Sequence, residues 1–127
     1  MIAGMTPLLQ AGTFVFCSSD EAGVIAKALP VALSSFREDE GLSLILPIEN
    51  ARELGFKITQ PMRCITLMVY SALDGVGLTA AVAGALARHG IPCNMVAAYH
   101  HDHAFVPADQ AEEAMGRLVE LQEGAAP

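Results

Sequence analysis

Apolar residues in this chain come in short blocks cut by charged, glycine or proline punctuation, and each block predicts an element of its own period. Residues 12–17, with Phe14, Val15, Phe16 and Cys17 in a row, read as a buried strand. Ser18, Ser19 and Asp20 then offer a cap for a short helix over 21–29, which Pro30 ends. Residues 31–37 and 42–46 form two apolar runs around Glu38-Asp39-Glu40-Gly41, an acidic turn that predicts a hairpin. Pro47 opens a helical run over 48–54 and Gly55 closes it. Residues 64–70 are the strongest strand signal in the chain. A helix follows over 77–89, with Leu78, Val82, Ala85, Leu86 and His89 on one stripe and Gly90 as its stop. Residues 91–100 read as a strand, His101-Asp102 as a turn and 103–106 as another strand, which Pro107 breaks. Asp109 caps a last helix whose inner face carries Ala111, Ala114, Met115, Leu118 and Leu121, and Gly124 begins the tail.

The second half thus runs strand, helix, strand, strand, helix, and the first half repeats a shorter version of that order. This predicts an α+β protein of two related lobes, residues 1–62 and 63–127, each of split βαβ, ferredoxin-like (βαββαβ) type, the first shorter and degenerate. No room remains after Leu121 for a fourth strand, so an edge from the other lobe or another subunit has to complete the second sheet. In residues 93–100 both strand faces are largely apolar, which supports sheet pairing and a homo-oligomer.

Chain direction also gathers the polar residues. A crossover helix requires the strands at 64–70 and 91–100 to run parallel, so Ser71, Asp74, Gly77, Thr79 and the turn at 100–103 converge on one sheet edge. Free N–H groups at the helix start, from Val76, Gly77 and Leu78, carry partial positive charge, and Asp74 stands beside them with the opposite sign. A zwitterionic amino acid fits that pairing. A two-residue loop at His101-Asp102 sets His100 and His103 side by side, with Asn94 further along the same strand face. These two histidines with Asp74 or Asp102 supply the alternative of a small metal-dependent enzyme. Against each role stands a structural one. Asp74 serves equally as a helix cap, Gly75 and Gly77 as turn glycines, Thr79 as a partner within its own helix, and the histidines as hydrogen-bonded surface residues. A third reading is a ligand-free oligomerisation module.

Composition narrows the classes. Fourteen acidic against seven basic residues give a net charge of −7, which opposes nucleic acid and anionic membranes. Cys17, Cys64 and Cys93 lie far apart in apolar runs, an odd set that suits a reducing cytoplasm rather than a disulfide framework. No window approaches the ~20 apolar residues of a spanning helix, and the start lacks the basic residues of an export signal. Met5 offers a second initiator. Neither a GxGxxG phosphate loop nor a GxSxG elbow is present, and Cys93 sits where a thiol stays inert, so no catalytic residue and no cofactor is assigned.

Several segments together resemble an ACT domain: Cys64-Ile65-Thr66-Leu67, residues 77–82 (Gly-Leu-Thr-Ala-Ala-Val), residues 86–91 (Leu-Ala-Arg-His-Gly-Ile), residues 94–99 (Asn-Met-Val-Ala-Ala-Tyr) and His100-His101-Asp102-His103. With Phe36-Arg37-Glu38 and Glu40-Gly41-Leu42, nearly the whole chain is similar to small bacterial proteins built from two ACT-like lobes in tandem. The resemblance implies a βαββαβ regulatory fold that associates through its sheets and binds amino acids near the first strand-to-helix loop. On this chain that loop is residues 73–79. A typical ACT module regulates an attached enzyme, so for a free-standing chain the resemblance implies action on a separate regulated protein, service as a sensor, or some other role.

Overall fold

The computed structural model describes residues 5–68 and 77–124. In chain order the elements are β1 (Thr6–Leu9), β2 (Phe14–Ser19), α1 (Ala22–Ala28), β3 (Ser34–Glu38), β4 (Gly41–Pro47), α2 (Ile48–Glu53), β5 (Met62–Met68), α3 (Leu78–Ala87), β6 (Asn94–Ala97), β7 (Asp102–Pro107) and α4 (Ala111–Gly124). They form two compact units, one of residues 12–62 and one in which residues 5–11 join residues 63–124. The expected division at residue 62 therefore changes in one respect: the segment before Gly12 belongs with the second lobe.

In the first lobe β2, β4 and β3 make an antiparallel sheet in the order β3-β4-β2, with Val15 opposite Leu46 and Cys17 opposite Leu44. The acidic turn does form the hairpin, since Glu38 pairs with Gly41 around Asp39-Glu40. Gly41 is required there. Its φ is +148°, and a Cβ would lie 2.8 Å from the carbonyl oxygen of Ser19. Ser19 Oγ accepts from the N–H of Glu21 at 3.1 Å, the local bond by which the serine pair leads into α1. Val15, Ala28, Leu44, Leu46, Ile48 and Ala51 are the buried core.

The second lobe has the sheet order β1-β5-β7-β6. β7 fills the slot between β5 and β6, as a split βαβ unit demands. The absent fourth strand is β1, which pairs antiparallel with β5 from Thr6 opposite Met68 to Leu9 opposite Ile65. Strand parity and helix period meet in one core: Ile65 and Leu67, Leu78, Val82 and Leu86, Ala104 and Val106, and Ala111, Ala114 and Leu118, with Met5 fully buried among them.

Three predicted boundaries move. α3 stops at Ala87, because Gly90 takes a φ of +70° and the N–H groups of His89 and Ile91 both return to the carbonyl of Leu86; His89 is exposed rather than on the buried stripe. The strand expected over 91–100 is only Asn94–Ala97, since Pro92 cannot donate to a ladder and the chain already turns at Tyr99. The last helix is entered through a 3-10 turn, Ala108–Gln110, that includes Asp109. No helix of the described residues is long and apolar enough to cross a membrane.

Candidate functional site

The edge predicted to carry the site is built by β5, β7 and α3. Thr66, two residues from the end of β5, lies 2.9 Å through its Oγ1 from Nδ1 of His103, one residue from the start of β7. The outgoing end of β5 and the incoming end of β7 therefore share one edge of the sheet. Ser71, Asp74 and Val76 fall in the connection from β5 to α3, outside the described residues. Gly77 has a φ of +93° and immediately precedes α3, and its carbonyl accepts from the N–H of Ala81 at 2.9 Å. Leu78 is 5 % exposed and sits in the core, so only its backbone is open to a ligand, whereas Thr79 is exposed.

The histidine geometry differs from the one expected. Ala97 pairs with Asp102 and Val96 with His103, while the N–H of Ala98 donates to the carbonyl of His101 at 3.0 Å. The two-residue loop is thus Tyr99-His100, shifted by two from His101-Asp102, so His100 and His103 are not cross-strand neighbours. Tyr99 holds His100 instead, in an edge-on ring contact of 5.0 Å. Asn94 pairs with Phe105 at the far end of the same ladder, about 10 Å from the last pair before the turn, Ala97 with Asp102, at the strand rise of ~3.4 Å per residue. It does not join the edge. Among the described residues no three His, Cys, Asp or Glu side chains gather to hold a metal ion.

Parity then separates the neighbours on β7. Asp102 shares the helix side with Ala104 and Val106, and at 7 % exposure it is a buried carboxylate. His103 points to the opposite face, where Cys64 and Thr66 lie. There a polar chain forms that no motif announced. Gln10 Nε2 donates to Thr66 Oγ1 at 2.9 Å, and Thr66 Oγ1 meets His103 Nδ1 at 2.9 Å. Gln10 is fixed in turn, because its N–H donates to the carbonyl of Cys64 at 2.9 Å and its own carbonyl accepts from Arg63 Nη2 at 2.8 Å. The available signal was Thr66 itself, a hydroxyl within the otherwise apolar run 64–68, which needs a partner when buried.

Burial lowers the pKa of His103 from its ordinary value, the nearby His101 lowers it further, and Asp102 offsets part of the fall. Burial raises the thiols of Cys17, Cys64 and Cys93. Cys64 Sγ, 3.9 Å from His103 Nδ1, therefore stays a thiol beside a neutral imidazole and forms no nucleophile pair. A histidine whose folded pKa lies below its unfolded pKa binds fewer protons when folded, so stability should fall as pH drops below ~6.5 toward the lowered folded value. Urea midpoints at pH 7.5 and 5.5 check this. His103→Gln should shrink the difference, and an unchanged pH dependence contradicts the assignment.

In the first lobe an open groove of about 850 Å³ runs between α1 and β3, lined by Ile25, Leu29, Phe36, Arg37 and Leu42 among others. No residue of the predicted site lies in it.

The two lobes, with their repeated order of elements, match known proteins in the same tandem arrangement. One profile of the ACT domain matches residues 1–63 and a second matches residues 60–120. The chain belongs to the ACT domain family. A Vibrio cholerae protein of unknown function is 41 % identical over 95 % of this chain and 92 % of its own, with a TM-score of 0.85. The regulatory subunit of aspartate kinase from Thermus flavus is 12 % identical, covers 91 % of this chain and 96 % of its own, and has a TM-score of 0.66. Aspartate kinase from Clostridium acetobutylicum, 11 % identical, contains the same fold over 94 % of this chain but 34 % of its own length, with a TM-score of 0.71. These last two share the tandem ACT fold with this chain. No curated protein matches the sequence. The α+β, ferredoxin-like ACT fold expected from the sequence is thus shown, and with it membership of a class of domain that is regulatory rather than catalytic.

Proposed function

We propose that this tandem ACT protein is a cytoplasmic sensor that binds an amino acid or similar small ligand and passes the binding state to a separate protein. What supports this reading is the edge shared by the end of β5 and the start of β7, together with the left-handed Gly77 immediately before α3. In this reading the ligand carboxylate takes the free N–H groups of Val76, Gly77 and Leu78, with Ser71 and Thr79 as hydroxyl partners. The ammonium takes Asp74. His100 and His103 come from the hairpin beside it. Asn94 is left out by the hairpin register, which sets it at the other end of the ladder. Asp102, buried at the start of β7, adds a second carboxylate near this edge.

Calorimetric titration of the full chain against the twenty common amino acids tests the reading. At least one should bind saturably, and Asp74→Ala should weaken it by ~1–3 kcal/mol, the range for a charge-assisted hydrogen bond. Heats indistinguishable from dilution for every amino acid contradict it. A second reading, assembly by sheet pairing, draws on Phe36, 73 % exposed on β3 at one end of the strand order. Native mass spectrometry showing a monomer at all accessible concentrations would remove it.

A further inference from the structure

We infer that the first lobe docks an extended, basic segment of a partner protein, which adds as a strand to the free edge of β3 and lays apolar side chains in the groove beside α1. This surface goes beyond the amino-acid reading and does not depend on it, since all of it lies within residues 19–42. β3 stands at one end of the strand order, and among the described residues nothing pairs with its outer edge. Natural edges are blunted by charge or proline, yet β3 has no proline and carries Phe36 at 73 % exposure in its middle. Leu29, Val31 and Leu33, 41 to 54 % exposed, come just before it, so four of the nine large apolar side chains exposed among the described residues fall within 29–36. Apolar surface gathered in one place and rimmed by polar groups marks a protein contact. Ser35 pairs with the core residue Leu44 and so shares its side of the sheet, where its small side chain leaves the strip beside α1 unfilled. Ile25, Leu29 and Leu42 line the groove there.

An open trough between an edge strand and a helix is the setting for strand addition, in which main-chain bonds hold the incoming segment and every second side chain enters the trough. Charge selects the occupant. Asp20 and Glu38 line the groove and Asp39 and Glu40 form the turn that follows β3, against Arg37, the one basic residue among the described residues of the lining. Lys27 lines a separate cavity between α1 and α2. Lysine or arginine side chains flanking apolar anchors therefore meet carboxylates at the rim, whereas an acidic segment is repelled. A second copy of this chain is disfavoured for the same reason, because it brings a net charge of −7 against another of −7.

The test uses the ¹⁵N-labelled full chain and three short probe peptides: alternating valine and lysine, alternating valine and glutamate, and the valine and lysine residues of the first rearranged to helical spacing. The first should give saturable amide shifts in residues 25–29, 34–38 and 42. Every second amide of 34–38 should also gain protection from hydrogen exchange, the mark of a new strand partner. The glutamate peptide should not bind, and the rearranged peptide should bind about tenfold more weakly or not at all. Ser35→Lys, which puts bulk and like charge into the groove, should weaken the first peptide by about tenfold. Asp20→Asn with Glu38→Gln should weaken it by about fivefold, while Glu112→Gln with Glu123→Gln on α4 should change it by less than about twofold. All these positions are exposed, and unchanged shifts for β2 and β4 check that each variant keeps the fold. The inference is overturned by shifts centred on the second lobe, by no gain of protection in 34–38, by equal binding of the glutamate or rearranged peptide, or by equal effects of the two carboxylate pairs. Protection of 34–38 in the free chain that is lost on dilution overturns it too, because a second copy then holds the edge.

Discussion

A chain lacking residues 1–11 should fail to fold its second lobe, although everything removed lies at the opposite end of the sequence from α4. β1 supplies one flank of β5 along four consecutive residue pairs, and Gln10 extends the contact through the carbonyl of Cys64. Without it, buried backbone groups of β5 lose their partners at ~1–3 kcal/mol each. Met5, fully buried, and Leu9, packed on the same core, leave with it at roughly 1.5–3 kcal/mol for each fully buried side chain. These losses together reach the ~5–15 kcal/mol that is the whole stability of an ordinary domain. Amide spectra of the shortened chain should show collapsed dispersion for residues 63–124. Retained dispersion with an unchanged melting temperature would show that β1 is dispensable.

Leu86→Ala is the second large effect. Leu86 is fully buried in the core of the second lobe, and its carbonyl accepts from both His89 and Ile91 where α3 hands the chain to β6. Truncation leaves the backbone bonds but opens a cavity, an exchange that costs ~2–5 kcal/mol. Urea unfolding should resolve it easily from Val119→Ala, whose side chain is 37 % exposed and whose loss should stay within ~0.5 kcal/mol. Equal midpoints for the two variants would mean that the core has been misassigned.

How far these features are legible in the sequence depends on the range of the interaction that sets them. Elements governed by local chemistry were readable: Pro47 at the entry to α2, Gly55 and Gly90 after their helices, and the acidic Asp39-Glu40 turn each act within a few residues. The βαββα order made the missing strand apparent, but not its source. β1 pairs with β5 across more than fifty residues, and nothing in the local pattern of Thr6–Leu9 names its partner. Hairpin register was hidden for a related reason. Residues 98–103 contain three histidines and no glycine, so no residue demanded one turn position, and the pairing of Met95 with Ala104 on the core side decided it. That two-residue shift separated His100 from His103. The edge shared by β5 and β7 was legible because it follows from chain direction alone. The tuning of its histidine was not, since Gln10 reaches it from another strand.

The most direct measurement is an amide-resolved titration of the labelled full chain with the common amino acids. Binding at the proposed edge predicts saturable shifts centred on residues 71–79 and 98–103, with residues of β2, β3 and β4 little changed. Saturable shifts confined to the first lobe, or none with any amino acid, would contradict the account.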